Sequence, residues 1–223
     1  MLVFQSCKKN NVPRNIENFN ITGLIENSYN GRKIFLKSQK NENLVTLDST
    51  IIKNGEFEFK GSIGKPEIYG IFIDSLKDAI GFFIENENIT IETNLKKLSA
   101  SKITGSKTND DYLDYIKVSN KIISEMNILF PEFQKARAEN DAEKLEKINK
   151  KMQLINDKNT AFAYNYAKQN SDSYISAMAL HSIIINNSIN KDSIELVYRS
   201  FSDYVKKGDY SKEILKYLET PQK

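Results

Sequence analysis

Between Glu17 and Thr93 apolar positions return at every second residue, the period of a strand with one face buried. Phe19 and Ile21 alternate ahead of Gly23, and Lys33 to Lys37 carries Ile34, Phe35 and Leu36. Leu44 to Ile52, Ile68 to Ile73, Ala79 to Ile84 and Ile89 to Thr93 read as further strands. Asn54-Gly55 is the dipeptide that best tolerates the two left-handed positions of a type I′ turn, so Leu47 to Gly61 predicts a tight β-hairpin. Phe57 and Phe59 point to one side of it and Glu56, Glu58 and Lys60 to the other, so it needs a hydrophobic layer laid over it. Seven or so short strands at this spacing predict an antiparallel sandwich or a partly open barrel, with Pro66 at an edge or in a loop.

The period changes at Thr104-Gly105-Ser106. From there Tyr112, Tyr115, Ile116, Ser119, Ile122, Ile123, Met126, Leu129 and Phe130 recur at three and four, one face of a long helix that Pro131 is expected to kink or interrupt. Asn140 with Glu143 resembles a cap. The helix it would start carries Leu145, Ile148, Met152, Ile155, Asn159, Phe162 and Tyr166 on one seam, which makes the pair an antiparallel helical hairpin. Asn159 is expected to pair locally rather than set the register of the two helices. Ser171-Asp172-Ser173 starts a further helix with Ile175, Met178, Ala179 and Ile183 inward, ended by Asn186-Asn187. Asp192 or Ser193 caps the next, with Ile194, Val197, Tyr198, Phe201 and Tyr204 on its face, and Gly208 reads as a stop before a last helix from Ser211 to Leu218. The fold class is α+β: an anchor and tether over 1–16, an antiparallel β domain over 17–104, and a helical domain over 105–223.

Composition adds exclusions. The chain of 223 residues is long enough to bury a sizeable core, and no run approaches the roughly 20 apolar residues of a spanning helix. The net charge of +3 is the difference of 32 basic and 29 acidic residues, so nothing argues for nucleic acid. Lys8, Lys9 and Arg14 give the start a local positive excess suited to an anionic surface. With one cysteine, Cys7, and one histidine, His181, no intramolecular disulfide, Cys-x-x-Cys pair or Cys-rich zinc site can form within this chain.

Candidate chemistry is sparse. His181 lies in an apolar helix beside Leu180 and reads as a partly buried, satisfied side chain. Glu85, Glu87 and Glu92 read as part of a solvated polar hairpin turn with Asn86 and Asn88. Gly55, Gly61, Gly64 and Gly70 read as strand turns with no helix following, so no phosphate loop is present, and no Gly-x-Ser-x-Gly elbow supports a nucleophile. Charges along Arg137 to Lys151 alternate as on a solvated face. Tyr164, Tyr198, Tyr204, Tyr210 and Tyr217 read as packing residues, some of them open to a partner. No catalytic residue, cofactor or metal is therefore expected.

The opening, Leu2-Val3-Phe4-Gln5-Ser6-Cys7, resembles the tail of a bacterial lipoprotein signal, with Ser6 and Cys7 at the cut and Cys7 the lipidated residue; Lys8 to Asn18 is polar like a tether. Three segments together, Phe19-Asn-Ile-Thr-Gly, Gly31-Arg-Lys-Ile-Phe-Leu and Leu47 to Gly61, with Thr104-Gly-Ser-Lys-Thr-Asn-Asp, resemble a domain of unknown function. That domain precedes the thioredoxin-like domain of Bacteroidetes-type thiol-disulfide oxidoreductase lipoproteins. The resemblance implies a β domain plus helical segment at the cell envelope. It also implies a catalytic Cys-x-x-Cys fold starting about where this sequence reaches Gln222-Lys223, so no catalytic residue carries over. The expected function is a non-catalytic module for interaction or positioning, membrane-held through Cys7, with a protein partner such as a thioredoxin-like domain. Two alternatives stay open: a fragment or accessory subunit of such an oxidoreductase, and a binder of a small apolar ligand in the β domain.

Overall fold

The computed structural model describes residues 18–28, 30–40, 43–185 and 189–220. Among these residues the period-two half forms eight strands: β1 (Phe19–Glu26), β2 (Lys33–Lys40), β3 (Asn43–Ile51), β4 (Glu56–Gly61), β5 (Glu67–Ile73), β6 (Ala79–Ile84), β7 (Asn88–Asn94) and β8 (Lys102–Thr104). They build two four-stranded sheets, ordered β4-β1-β7-β8 and β3-β2-β5-β6. Every strand pairing is antiparallel except β1 with β7. Ile21, Phe59 and Ile89 of the first sheet share one buried cluster with Leu36, Ile71 and Phe82 of the second, so the two sheets form a sandwich that is not closed into a barrel.

The Asn54-Gly55 turn forms as expected. Both residues have positive φ, 54° and 81°, and Lys53 and Glu56 exchange backbone bonds of 3.0 and 2.9 Å. The hairpin does not: β3 pairs with β2 in one sheet while β4 pairs with β1 in the other, so the turn is a corner between sheets. Alternation specifies which face of a strand is buried and leaves its neighbour open. The Glu85–Glu87 segment, expected as a hairpin turn, is a second corner, leading from β6 to β7 across the sandwich. Nor is Gly70 a turn residue; it lies in the middle of β5, and Gly61 ends β4. Pro66 stands in the loop before β5, as expected.

Among the described residues six α-helices follow: α1 (Lys107–Ala138), α2 (Ala142–Gln169), α3 (Tyr174–Ile185), α4 (Lys191–Ser200), α5 (Asp203–Lys206) and α6 (Asp209–Glu219). The α1–α2 hairpin buries Tyr115, Ile122 and Ala136 on one rod and Ile148, Ile155 and Ala163 on the other. Pro131 neither ends nor interrupts α1. Buried Ala136 and Ile148, one on each side of the turn, hold the helix together beyond it, whereas Phe130 falls off the seam and is exposed. Asn140 is no cap. It takes a φ of 52° and ends α1, with the Asp141 N–H donating to the Ala136 carbonyl at 2.9 Å, and the Asp141 carboxylate caps α2 by accepting from the Lys144 N–H at 3.0 Å. Asn159 pairs across the seam rather than locally, accepting from the Ser119 hydroxyl at 2.9 Å.

Asn190, rather than Asp192 or Ser193, caps α4 by accepting from the Ser193 N–H at 2.8 Å. The face expected to run on through Tyr204 breaks at Phe201, and Ser202 caps the short α5. Gly208 stands just past the end of α5, its N–H donating to the Val205 carbonyl at 3.1 Å, and immediately before α6; a Cβ there would come within 2.4 Å of the Tyr174 ring. Ile175, Ala179 and Ile183 point inward as expected, while Asn186-Asn187 lie outside the described residues. The helices enclose a second buried cluster, and one sheet residue, Phe83 of β6, belongs to it.

Candidate functional site

The helices are fastened to the sandwich at the end of β6, where the sequence reading placed a solvated turn. Glu85 Oε1 accepts from the Ser106 hydroxyl and the Thr108 N–H, both at 2.9 Å, and Oε2 accepts from the Thr108 hydroxyl at 2.8 Å. A carboxylate thus sits on the open N–H groups of the α1 N-terminus, where the helix dipole favours negative charge. The Asn86 side chain bonds the Ile63 N–H and carbonyl at 2.9 and 2.8 Å, and the Phe83 N–H donates to Asn109 Oδ1 at 3.4 Å. On the flank, Lys65 is paired with Asp209 at the start of α6 and lies 3.9 Å from Glu67.

This fastening places α3 and α6 beside the outer face of the β3-β2-β5-β6 sheet and leaves a groove of about 960 Å³ between them. Strand register determines its floor. On the outer face Ile68 pairs with Phe83, Gly70 with Gly81, and Phe72 with Ala79; Lys37 lies across from Gly70 and Phe35 across from Phe72. Two facing glycines therefore make a trough across β5 and β6 with a ridge on each side. The Phe72 ring leans over Gly70, where a Cβ would stand 2.7 Å from Cε2, while a Cβ on Gly81 would meet nothing within 4 Å. Tyr174, Tyr210 and Asp209 form the helical wall, and Leu44 of the edge strand β3, 57 % exposed, closes the far rim.

The groove's aromatic wall is continuous. Phe83 packs edge-on against Tyr112 at 5.2 Å and meets Tyr174 at 6.4 Å; Tyr174 meets Tyr210 at 6.4 Å and Tyr210 meets His181 at 5.5 Å. Burial pushes the Tyr174 hydroxyl up to about 12 and also raises that of Tyr210, so both are neutral phenols at physiological pH. Hydrogen bonding from Lys65 draws the Asp209 carboxyl below the usual aspartate value. The Tyr69 hydroxyl donates to Glu67 at 3.4 Å. Lys37 differs: its ammonium lies 4.9 Å from the Phe35 ring centre and 5.1 Å from that of Phe72.

The residues singled out in the sequence fall elsewhere or play other parts. Cys7 lies outside the described residues. His181 is partly buried in α3 with its ring against Tyr210, so it borders the aromatic wall. Glu85 is a structural clasp, Glu87 stands at the β6–β7 corner, and Glu92 faces out from the other sheet. Tyr164, Tyr198, Tyr210 and Tyr217 pack on the helical cluster as expected, while Tyr204 is 47 % exposed. Among the described residues no group of three or more His, Cys, Asp or Glu is arranged to hold a metal ion. Sequence reasoning missed Lys37, Gly70, Phe72 and Gly81. The available signal was glycine inside two apolar strand patterns, which marks a place where something approaches the backbone closely.

Residues 19–112 match the family described as Domain of unknown function (DUF4369), so that domain spans both sheets and the opening of α1. No curated protein matches the chain.

Proposed function

We propose that this chain is a non-catalytic interaction and positioning module, held at a bacterial cell envelope by lipid on Cys7, whose groove seats a partner protein. The observation that carries the reading is the groove itself: an open trough with glycine at its floor and apolar and aromatic ridges, continuous with an exposed edge strand. A surface of that shape and chemistry suits a polypeptide segment. Four of the polar groups that border it already engage one another, Lys65 with Asp209 and Tyr69 with Glu67. Such an arrangement favours recognition over bond-breaking chemistry.

The envelope part of the proposal rests on the Ser6-Cys7 pattern ahead of β1 and on the resemblance to envelope oxidoreductases, which makes a thioredoxin-like domain the first partner to try. No described helix is long and apolar enough to cross a membrane, so attachment in this reading falls to the lipid. The test places a photo-crosslinking residue at Ile68, on the groove rim and 50 % exposed, and at Leu154, 67 % exposed on α2, in protein made in its own host. A discrete protein adduct from position 68 and none from 154 is expected. Equal yields from both sites, or none from either, would overturn the groove as partner seat. A fatty-acid label lost on Cys7→Ser checks the anchor separately.

A further inference from the structure

Deepening that reading, we infer that the trough over Gly70 and Gly81 captures the C-terminal residue of a partner polypeptide, its apolar side chain over Gly81 and its terminal carboxylate on Lys37. The inference rests on the groove being a partner seat, and it adds the chemistry of what sits there.

Shape selects the apolar half of the occupant. Gly81 is the one floor position with open space above it, since a Cβ added there meets no atom within 4 Å. The ridge residues Phe83 and Ala79 stand two residues to either side on the same strand, about 7 Å away along it. The Phe72 ring lies over Gly70 and carries the Lys37 ammonium 5.1 Å from its centre, so at that position the ring forms the floor. The open space over Gly81, between Phe83 and Ala79, suits one apolar side chain.

Charge selects the other half. The groove's second cation, Lys65, is matched by Asp209 and Glu67. Lys37 ends the glycine row, two strands from Gly81 and so about 9–10 Å from it between backbones. Its ammonium rests on two ring faces and, among the described residues, forms no ion pair. A lysine stem carried on aromatic faces stays extended over apolar surface and offers its donors outward. An apolar side chain at Gly81 with a carboxylate one residue-length toward β2 complements both features. A chain terminus supplies both from one residue.

The test uses the full chain labelled with ¹⁵N and two peptides, acetyl-Gly-Ser-Gly-Val-Phe as the free acid and as the C-terminal amide. The acid is expected to shift the amides of Gly70, Phe72 and Gly81 at millimolar concentration, with the amide form about tenfold weaker. Lys37→Gln should bring the acid down to the level of the amide, and Gly81→Val, which fits a strand and meets open space, should abolish both. Equal binding of acid and amide would overturn the role of Lys37 while leaving the groove as a peptide seat. No shift with either peptide would overturn both readings. Hydrocinnamate binding as tightly as the peptide acid would replace the polypeptide terminus by a free small carboxylate and overturn the proposal.

Discussion

Removing the Glu85 carboxylate isolates the polar contact with the most hydrogen bonds between helices and sandwich among those described. Three hydrogen bonds of 2.8 to 2.9 Å run to it from Ser106 and Thr108. A hydrogen bond to a charged group contributes about 1.5–3 kcal/mol, and a negative charge at a helix N-terminus about 0.3–1 kcal/mol. Glu85 is only partly buried and the freed donors regain some water, so the sum is well below three full bonds. Glu85→Ala should therefore cost about 2–4 kcal/mol, or roughly 6–12 °C in Tm for a chain of this size. Glu85→Gln keeps the shape and one acceptor oxygen and should cost about 1 kcal/mol, mainly the charge. Urea unfolding followed by circular dichroism reads the loss, and amide exchange at Thr108 and Asn109 locates it. A loss under about 0.5 kcal/mol for Glu85→Ala, or equal losses for Ala and Gln, would refute the clasp.

Gly105 has a φ of 91° and an added Cβ would stand 2.0 Å from the Asn88 carbonyl oxygen, so Gly105→Ala should destabilise by more than about 2 kcal/mol in the same urea assay. Pro131→Ala should stabilise by about 1–3 kcal/mol, because it restores a backbone donor to the interior of a helix that already runs through the proline. The Tyr174 hydroxyl is raised from 10.0 to about 12 by burial, so its neutral form contributes stability that is fully present below pH 10 and lost as pH rises toward 12. Tyr174→Phe should flatten that alkaline limb in stability measured from pH 9 to pH 12. Asp209 moves the other way, held below its ordinary value of 3.8 first by its hydrogen bond with Lys65, so its small contribution is present above that value and fades as pH falls below it. Asp209→Asn should leave stability at pH 7 nearly unchanged and remove part of the acid dependence in titrated unfolding.

The sequence alone determined the class of structure here. Period two over Phe19 to Thr93 and period three to four from Tyr112 onward set which side chains are inward, and Phe57, Phe59, Ile89, Ile122 and Ile155 are buried where their periodicity placed them. Asn54-Gly55 announced its backbone angles because few other residues adopt them at low cost. Pairing was decided only in three dimensions. A strand's alternation does not say which strand lies beside it, so two apparent hairpins became corners between sheets, and a local cap at Asn140 yielded to the geometry that ends α1. The groove belongs to the same order of facts. Gly70 and Gly81 face each other through a register set by whole strands, and α3 and α6 form the far wall through a carboxylate clasp whose partners lie more than twenty residues away in sequence.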